Sequence, residues 1–198
     1  MSLRESIARY PLITALVFEG LIIPVAVVLA LILGLTPWED FHFTAEALLL
    51  SVLATVPLLV VLRGLARLDW QPFRELENAV RGVLARLFVN ARPGAVVAVS
   101  LLAGFGEELL FRGVLQNLLA GTMPIELAIL FAGIAFGLAH YVNGVYFVVA
   151  TLVGIYLGLL YHWTGNLLIV CLVHALYDWV AIHIYLRQAR RSGDMPEE

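Results

Sequence analysis

Lysine is absent from this chain of 198 residues, and cysteine occurs once, as Cys171. A single cysteine excludes an intrachain disulfide and the cysteine-rich spacings of structural zinc sites, so any metal would rest on His and carboxylate ligands. Charge is scarce too. Only 14% of residues are charged and 62% are hydrophobic, whereas soluble domains average about 25% charged and about 45–50% apolar. That balance excludes an ordinary soluble domain. The net charge of −3 marks no acidic or basic partner, and no nucleic-acid partner is expected. The chain also lacks internal repeats and low-complexity tracts.

What is there instead is a series of apolar runs, at about 12–33, 45–62, 95–120, 125–140, 145–161 and 167–186. Each is close to the roughly 20 residues a helix needs to cross a bilayer. The expected fold is all-α, a polytopic transmembrane bundle of about six spans. The first run follows Arg4 and Arg9 but exceeds the 7–15 residue core of a signal peptide, so it reads as a retained span. The third run would measure about 39 Å as a straight helix. It must tilt, protrude or break, and Gly104-Phe105-Gly106 is the expected break, because glycine leaves helical geometry at low cost.

All twelve basic residues are arginine, and eleven lie outside the apolar runs. Arg4 and Arg9, the group from Arg63 to Arg92, and Arg187, Arg190 and Arg191 fall on one side of the membrane, while the opposite loops carry no basic residue. The positive-inside bias then puts both termini in the cytoplasm of a multi-pass plasma-membrane protein. Between the second and third runs, Phe73, Leu76, Val80, Val83, Leu84 and Leu87 recur at helical spacing opposite Arg74, Glu77, Asn78 and Arg81. This predicts an amphipathic helix on the cytoplasmic surface, with Pro72 in its first turn. Residues 1–92 are expected to form an N-terminal membrane region, 93–187 a membrane core that holds the buried polar residues, and 188–198 a disordered tail. Gly133-xxx-Gly137 and Gly154-xxx-Gly158 permit close helix contact.

An ionised side chain at the bilayer centre costs about 2.5–3.5 kcal/mol on insertion scales, so such residues persist mainly when paired or useful. The third run holds Glu107, Glu108 and Arg112, the fourth ends at His140, and the last holds His174 and Asp178. Glu108 and Arg112 stack one turn apart and can neutralise each other. Glu107 points elsewhere and is the candidate general base. Asp178, one turn beyond His174, could accept a hydrogen bond that fixes the imidazole tautomer. Such a set can activate water for attack on an amide. His140 and His174 would either hold zinc together with Glu107 or stabilise the oxyanion without a metal.

Glu107-Glu108-Leu109-Leu110-Phe111-Arg112 matches an EExxxR signature, Phe136-Gly137-Leu138-Ala139-His140 an FxxxH element, and His174-Ala175-Leu176-Tyr177-Asp178 an HxxxN/D element. Together they resemble the CAAX-protease and bacteriocin-processing family of intramembrane proteases. The resemblance implies a helical membrane protease with Glu107 as water-activating base, Glu108 and Arg112 as a structural pair, and His140, His174 and Asp178 around the scissile bond. Its substrate would be a peptide or membrane-associated protein tail, prenylated in the eukaryotic branch. The compact length resembles prokaryotic members, which are linked to peptide maturation and bacteriocin self-immunity. Asp178 stands where eukaryotic members typically carry Asn, and an ionised Asp only accepts hydrogen bonds. The competing readings are a noncatalytic immunity or binding protein on the same fold, and a proton-coupled transporter built on the same buried acids.

Blander roles suffice elsewhere. His42, His162 and His183 read as interfacial, the four tryptophans as a boundary belt, and Cys171 as a small core residue. Glu46 and Glu126 sit in first turns, where a carboxylate suits the helix dipole. Glu19 lies deep in the first span with no evident role.

Overall fold

The computed structural model describes residues 9–67, 70–89, 91–92 and 94–193. The expectations placed on Arg4, on the first residue of the 93–187 core and on residues 194–198 fall outside the described residues. The described chain is all helical. Helix α1 spans Pro11–Leu33, α2 Ala45–Leu65, α3 Gln71–Phe88 and α4 Ala95–Glu108. A π-helical stretch, Leu109–Gln116, continues α4 without a gap into a short α5, Asn117–Ala120. Then follow α6 Ile125–Ala139, α7 Gly144–Thr164 and α8 Leu167–Arg191. Four of these, α1, α2, α7 and α8, are long and apolar enough to cross a membrane. The rod from α4 to α5 and the shorter apolar α6 bring the bundle to about six membrane-embedded segments.

Two expectations about helix ends and breaks change. Helix α4 runs unbroken through Gly104 and Gly106. The irregularity follows those glycines, where the ladder widens to π geometry around Arg112. Such wide turns recur at functional sites. At the other end, α8 continues to Arg191, so the first residues of the expected tail are helical.

Helix α8 is the axis of the bundle, and α4, α2 and α3 all pack on it. From Leu167 to Ala175 nearly every side chain is buried, and apart from His174 the sequence there is apolar all round, as a helix enclosed on every side must be. Glycine sets how closely its neighbours approach. A Cβ added at Gly104 would lie 2.7 Å from the carbonyl oxygen of Cys171 and 2.8 Å from Ala175. One at Gly154 would meet Gly133 at 3.0 Å. The small-residue motifs of α6 and α7 therefore face each other, as close helix packing in lipid requires.

Helix α3 forms over the amphipathic stretch, but its apolar face meets protein and not only lipid. Phe73, Leu76, Ala85 and Phe88 are buried, and Ala85 and Phe88 pack with Ile182, Leu186 and Ala189 of α8. The reason is the length of α8, whose last turns stand beyond the rest of the core and offer α3 an apolar wall.

Candidate active site

The residues singled out by the sequence converge. Glu108 is four residues beyond Gly104, on the same face of α4, so the close approach of α4 to α8 at that glycine carries its carboxylate to His174. Glu108 Oε1 accepts from Arg112 Nη1 at 2.8 Å and from His174 Nδ1 at 2.8 Å. Arg112 also donates through Nη2 to the carbonyl of Gly154 at 2.8 Å, and its guanidinium lies 4.7 Å from the centre of the Phe136 ring. Four residues on, Gln116 donates to the carbonyl of Gly158 at 3.1 Å. The glycines of α7 thus do more than permit contact, since a residue without a side chain leaves its carbonyl open to a buried donor. The fully buried Arg112 is held by a carboxylate, a carbonyl and an aromatic face, the compensation an ion needs at such a position.

Glu107 turns to α6. Its Oε2 stands 3.4 Å from His140 Nε2 and, although buried, has no hydrogen-bond partner. The ring of His140 stacks on Phe136 at 4.3 Å between centres, and its Nδ1 lies 2.9 Å from the carbonyl of Phe136. A carbonyl only accepts, so Nδ1 carries the hydrogen and Nε2 faces Glu107. His174 is arranged alike. Its Nδ1 donates to Glu108, and its Nε2 faces Asp178 Oδ2 at 3.6 Å.

This revises two expected roles. Glu108 does not serve Arg112 alone but also orients His174, whereas Asp178 stands beyond hydrogen-bond distance and faces the opposite ring nitrogen. The i,i+4 spacing of His174 and Asp178 places them side by side, but the cross-helix carboxylate makes the shorter contact. Exposure then shows which way the site opens. The side chains of Glu108 and Arg112 are 0% exposed, Glu107 10%, His140 24% and Asp178 28%. The ion pair is the sealed floor, and His140 and Asp178 stand at the mouth.

The depth of the site follows from helix lengths. Glu107 lies about 18 Å along α4 from Ala95, and Asp178 about 20 Å along α8 from Arg191, at 1.5 Å per residue. Both helices therefore run past the level of His140 and the α6–α7 turn. Extension of α4, not a break in it, lets Glu107 meet His140.

Sequence reasoning left Glu19 without a role. In the structure α1 packs on α4 at Gly106, where an added Cβ would lie 3.2 Å from the Glu19 carbonyl oxygen. The Glu19 carboxylate is within electrostatic reach of Glu107, Asp178, His140 and His174, and its Oε2 is buried without a partner. Its depth in an apolar helix was the only signal in the sequence.

A zinc ion would need donors about 2.0–2.2 Å from one point. Glu107 Oε2 and His140 Nε2 are spaced as two such donors could be. A third does not join them: no group of three His, Cys, Asp or Glu among the described residues could hold a metal ion. The donor set does not fit a three-ligand site.

Fold and site together define a polytopic helical membrane protein with a carboxylate and two imidazoles gathered inside its bundle. The Rce1-like family, described as type II CAAX prenyl endopeptidase Rce1-like, matches residues 77–180. That match covers more than half of the chain and all three motifs, and the chain belongs to this family. It is 28% identical over 142 residues to the uncharacterized protein YpbD of Bacillus subtilis (strain 168), covering 70% of each chain. No solved structure matches the chain.

Proposed function

We propose that this protein is an intramembrane endopeptidase that cuts a peptide or membrane-associated protein tail with water activated by Glu107. The observation that carries this reading is the buried, unpartnered Oε2 of Glu107, 3.4 Å from His140 Nε2. A water seated beside the pair would donate to both acceptors. Glu107 takes one of its protons as the oxygen attacks the scissile carbonyl, then returns that proton to the leaving amine. His140 positions the water through Nε2, and His174, doubly protonated between Glu108 and Asp178, donates from Nε2 to the oxyanion that forms on the carbonyl. Glu108 keeps Nδ1 of His174 engaged, so that Nε2 is presented to the reaction, and Arg112 holds Glu108 in place. These steps use only the chain's own side chains.

Two adjoining cavities support a membrane-associated substrate. One, of about 620 Å³, lies between α2 and α7 and is lined almost wholly by apolar side chains, including the exposed Val61, Val148 and Leu152. The second, of about 240 Å³, shares Leu58, Val61, Leu65, Phe73, Val149 and Val153 with it and reaches Tyr146 and Asp178. An apolar path therefore leads from the outer face of the bundle to the mouth of the site. A tail carrying a lipid or an apolar segment could reach Glu107 without leaving the membrane. The arginine-rich end, where α2 and α8 finish, faces the cytoplasm of a prokaryotic cell in this reading.

The protein reconstituted in vesicles, given a farnesylated C-terminal peptide and its unprenylated counterpart, tests the proposal. Cleavage with one oxygen from labelled water in the new carboxylate is expected. Proton or solute flux without cleavage of either peptide would contradict it and favour a transporter.

A further inference from the structure

At the end of the bundle where α2 and α8 both finish, a cavity of about 300 Å³ is bounded by Leu62, Arg63 and Ala66 on one side and by Ile184, Tyr185, Arg187 and Arg191 on the other, with Glu77 of α3 closing it. This hollow contains none of the proposed catalytic residues, and it borders the apolar path only at Leu62 and Tyr185. Its three arginines come from two helices, and none has an ion-pair partner among the described residues. Arg187 and Arg191 are one helical turn apart, so two like charges stack on a single face of α8, an arrangement that repels. Glu77 forms no ion pair with any of them. It is half-buried, loss of solvent raises its pKa, and Arg81 of its own helix is the cation that opposes the rise.

The helix dipoles and the positive-inside bias each favour arginine at these helix ends. Neither requires three guanidiniums from two helices to border one hollow; Arg187 stands between this hollow and a neighbouring one that Arg92 and Arg190 also line. Guanidinium groups match the geometry of phosphate oxygens, with several donors in a planar fork. The volume lies at the lower end of ligand pockets, about 300–1,000 Å³. Leu62, Ala66 and Ile184 give the hollow an apolar border that a free phosphate would not use but the glycerol and first acyl carbons of a lipid would.

We propose that this cavity binds a phosphate-bearing anion, and that in the membrane the anion is the headgroup of an acidic phospholipid. Basic pockets between transmembrane helices at this level suit such headgroups.

The test uses the full chain in neutral detergent, with lipid retention followed by native mass spectrometry and thermal stability measured alongside. The probes are dioleoylphosphatidylglycerol, dioleoylphosphatidylcholine, glycerol 3-phosphate and inorganic phosphate. The acidic lipid should bind one per chain and raise the melting temperature. Replacing Arg63, Arg187 and Arg191 together by Gln should weaken it about a hundredfold, as three interfacial arginines would. Replacing Arg9, Arg86 and Arg92, which do not line the cavity, removes the same charge and should leave that binding within a few-fold. Equal losses in both triple variants, or equal binding of phosphatidylcholine, would overturn the site. Binding of glycerol 3-phosphate or inorganic phosphate as tightly as the lipid would overturn the lipid as its source. Should the cavity triple fail to fold, the three single substitutions carry the same comparison.

Discussion

Replacing Gly104 by Ala adds one methyl group where α4 meets α8. That carbon would sit 2.7 Å from the carbonyl oxygen of Cys171, 2.8 Å from the Ala175 nitrogen and 2.8 Å from the Ala175 Cβ. Two of these neighbours are backbone atoms of a buried helix, so no side chain can swing aside. Ordinary contact at about 3.4–4 Å requires the helices to part by somewhat under an ångström. Overpacking of this kind costs about 1–3 kcal/mol. The same displacement acts on Glu108, which is on the same face of α4 and holds His174 at 2.8 Å. A misplacement near 1 Å can cost about a hundredfold in rate. We therefore expect Gly104→Ala to lower the melting temperature and to reduce cleavage by about 10- to 100-fold. The control is Gly20→Ala in α1, where an added Cβ meets nothing within 4 Å and helix propensity should gain about 0.5–1 kcal/mol. If Gly104→Ala behaves like Gly20→Ala in both assays, the link from glycine packing to imidazole placement is wrong.

Arg112→Met should destabilise the bundle by about 3–5 kcal/mol, because it strands the Glu108 carboxylate in a sealed position; denaturation in detergent reads this directly. Glu19→Gln should leave the melting temperature unchanged or higher while altering kcat/KM, since the carboxylate has no structural partner and stands among the site's charges; a lower melting temperature with unchanged kinetics would make it structural. Dialysis against a chelator, with metal analysis before and after, should leave cleavage intact, because no third metal ligand joins Glu107 and His140 among the described residues. Loss of turnover restored by zinc would contradict that.

How much the sequence reveals depends on whether a contact lies within one helix or between two. The apolar runs mark the helices to within a few residues, because hydropathy needs no partner to be read. The i,i+4 pair of Glu108 and Arg112 is legible for the same reason. The second bond of Glu108, to His174, is not, since it depends on how closely α4 and α8 approach, and that distance is set by Gly104. The spacing of His174 and Asp178 suggests a partnership that the nearer cross-helix carboxylate takes over. Gly154 and Gly158 read as packing residues, yet their carbonyls also receive Arg112 and Gln116. Gly104 and Gly106 look like a helix break because glycine permits one, but the neighbours that use the missing side chains as space are distant in sequence. Glu19 is silent for a similar reason, as only the packing of α1 on Gly106 brings it beside Glu107.

The most direct test of the account is turnover by Glu107→Gln, assayed on the same reconstituted protein and peptides as the wild type. Glutamine keeps the shape of the side chain but cannot take a proton from water. The account predicts a folded bundle with an unchanged melting temperature and cleavage lower by at least about a hundredfold, the share of the rate that general-base catalysis typically supplies. Cleavage at the wild-type rate by a folded Glu107→Gln protein would show that another group activates the water.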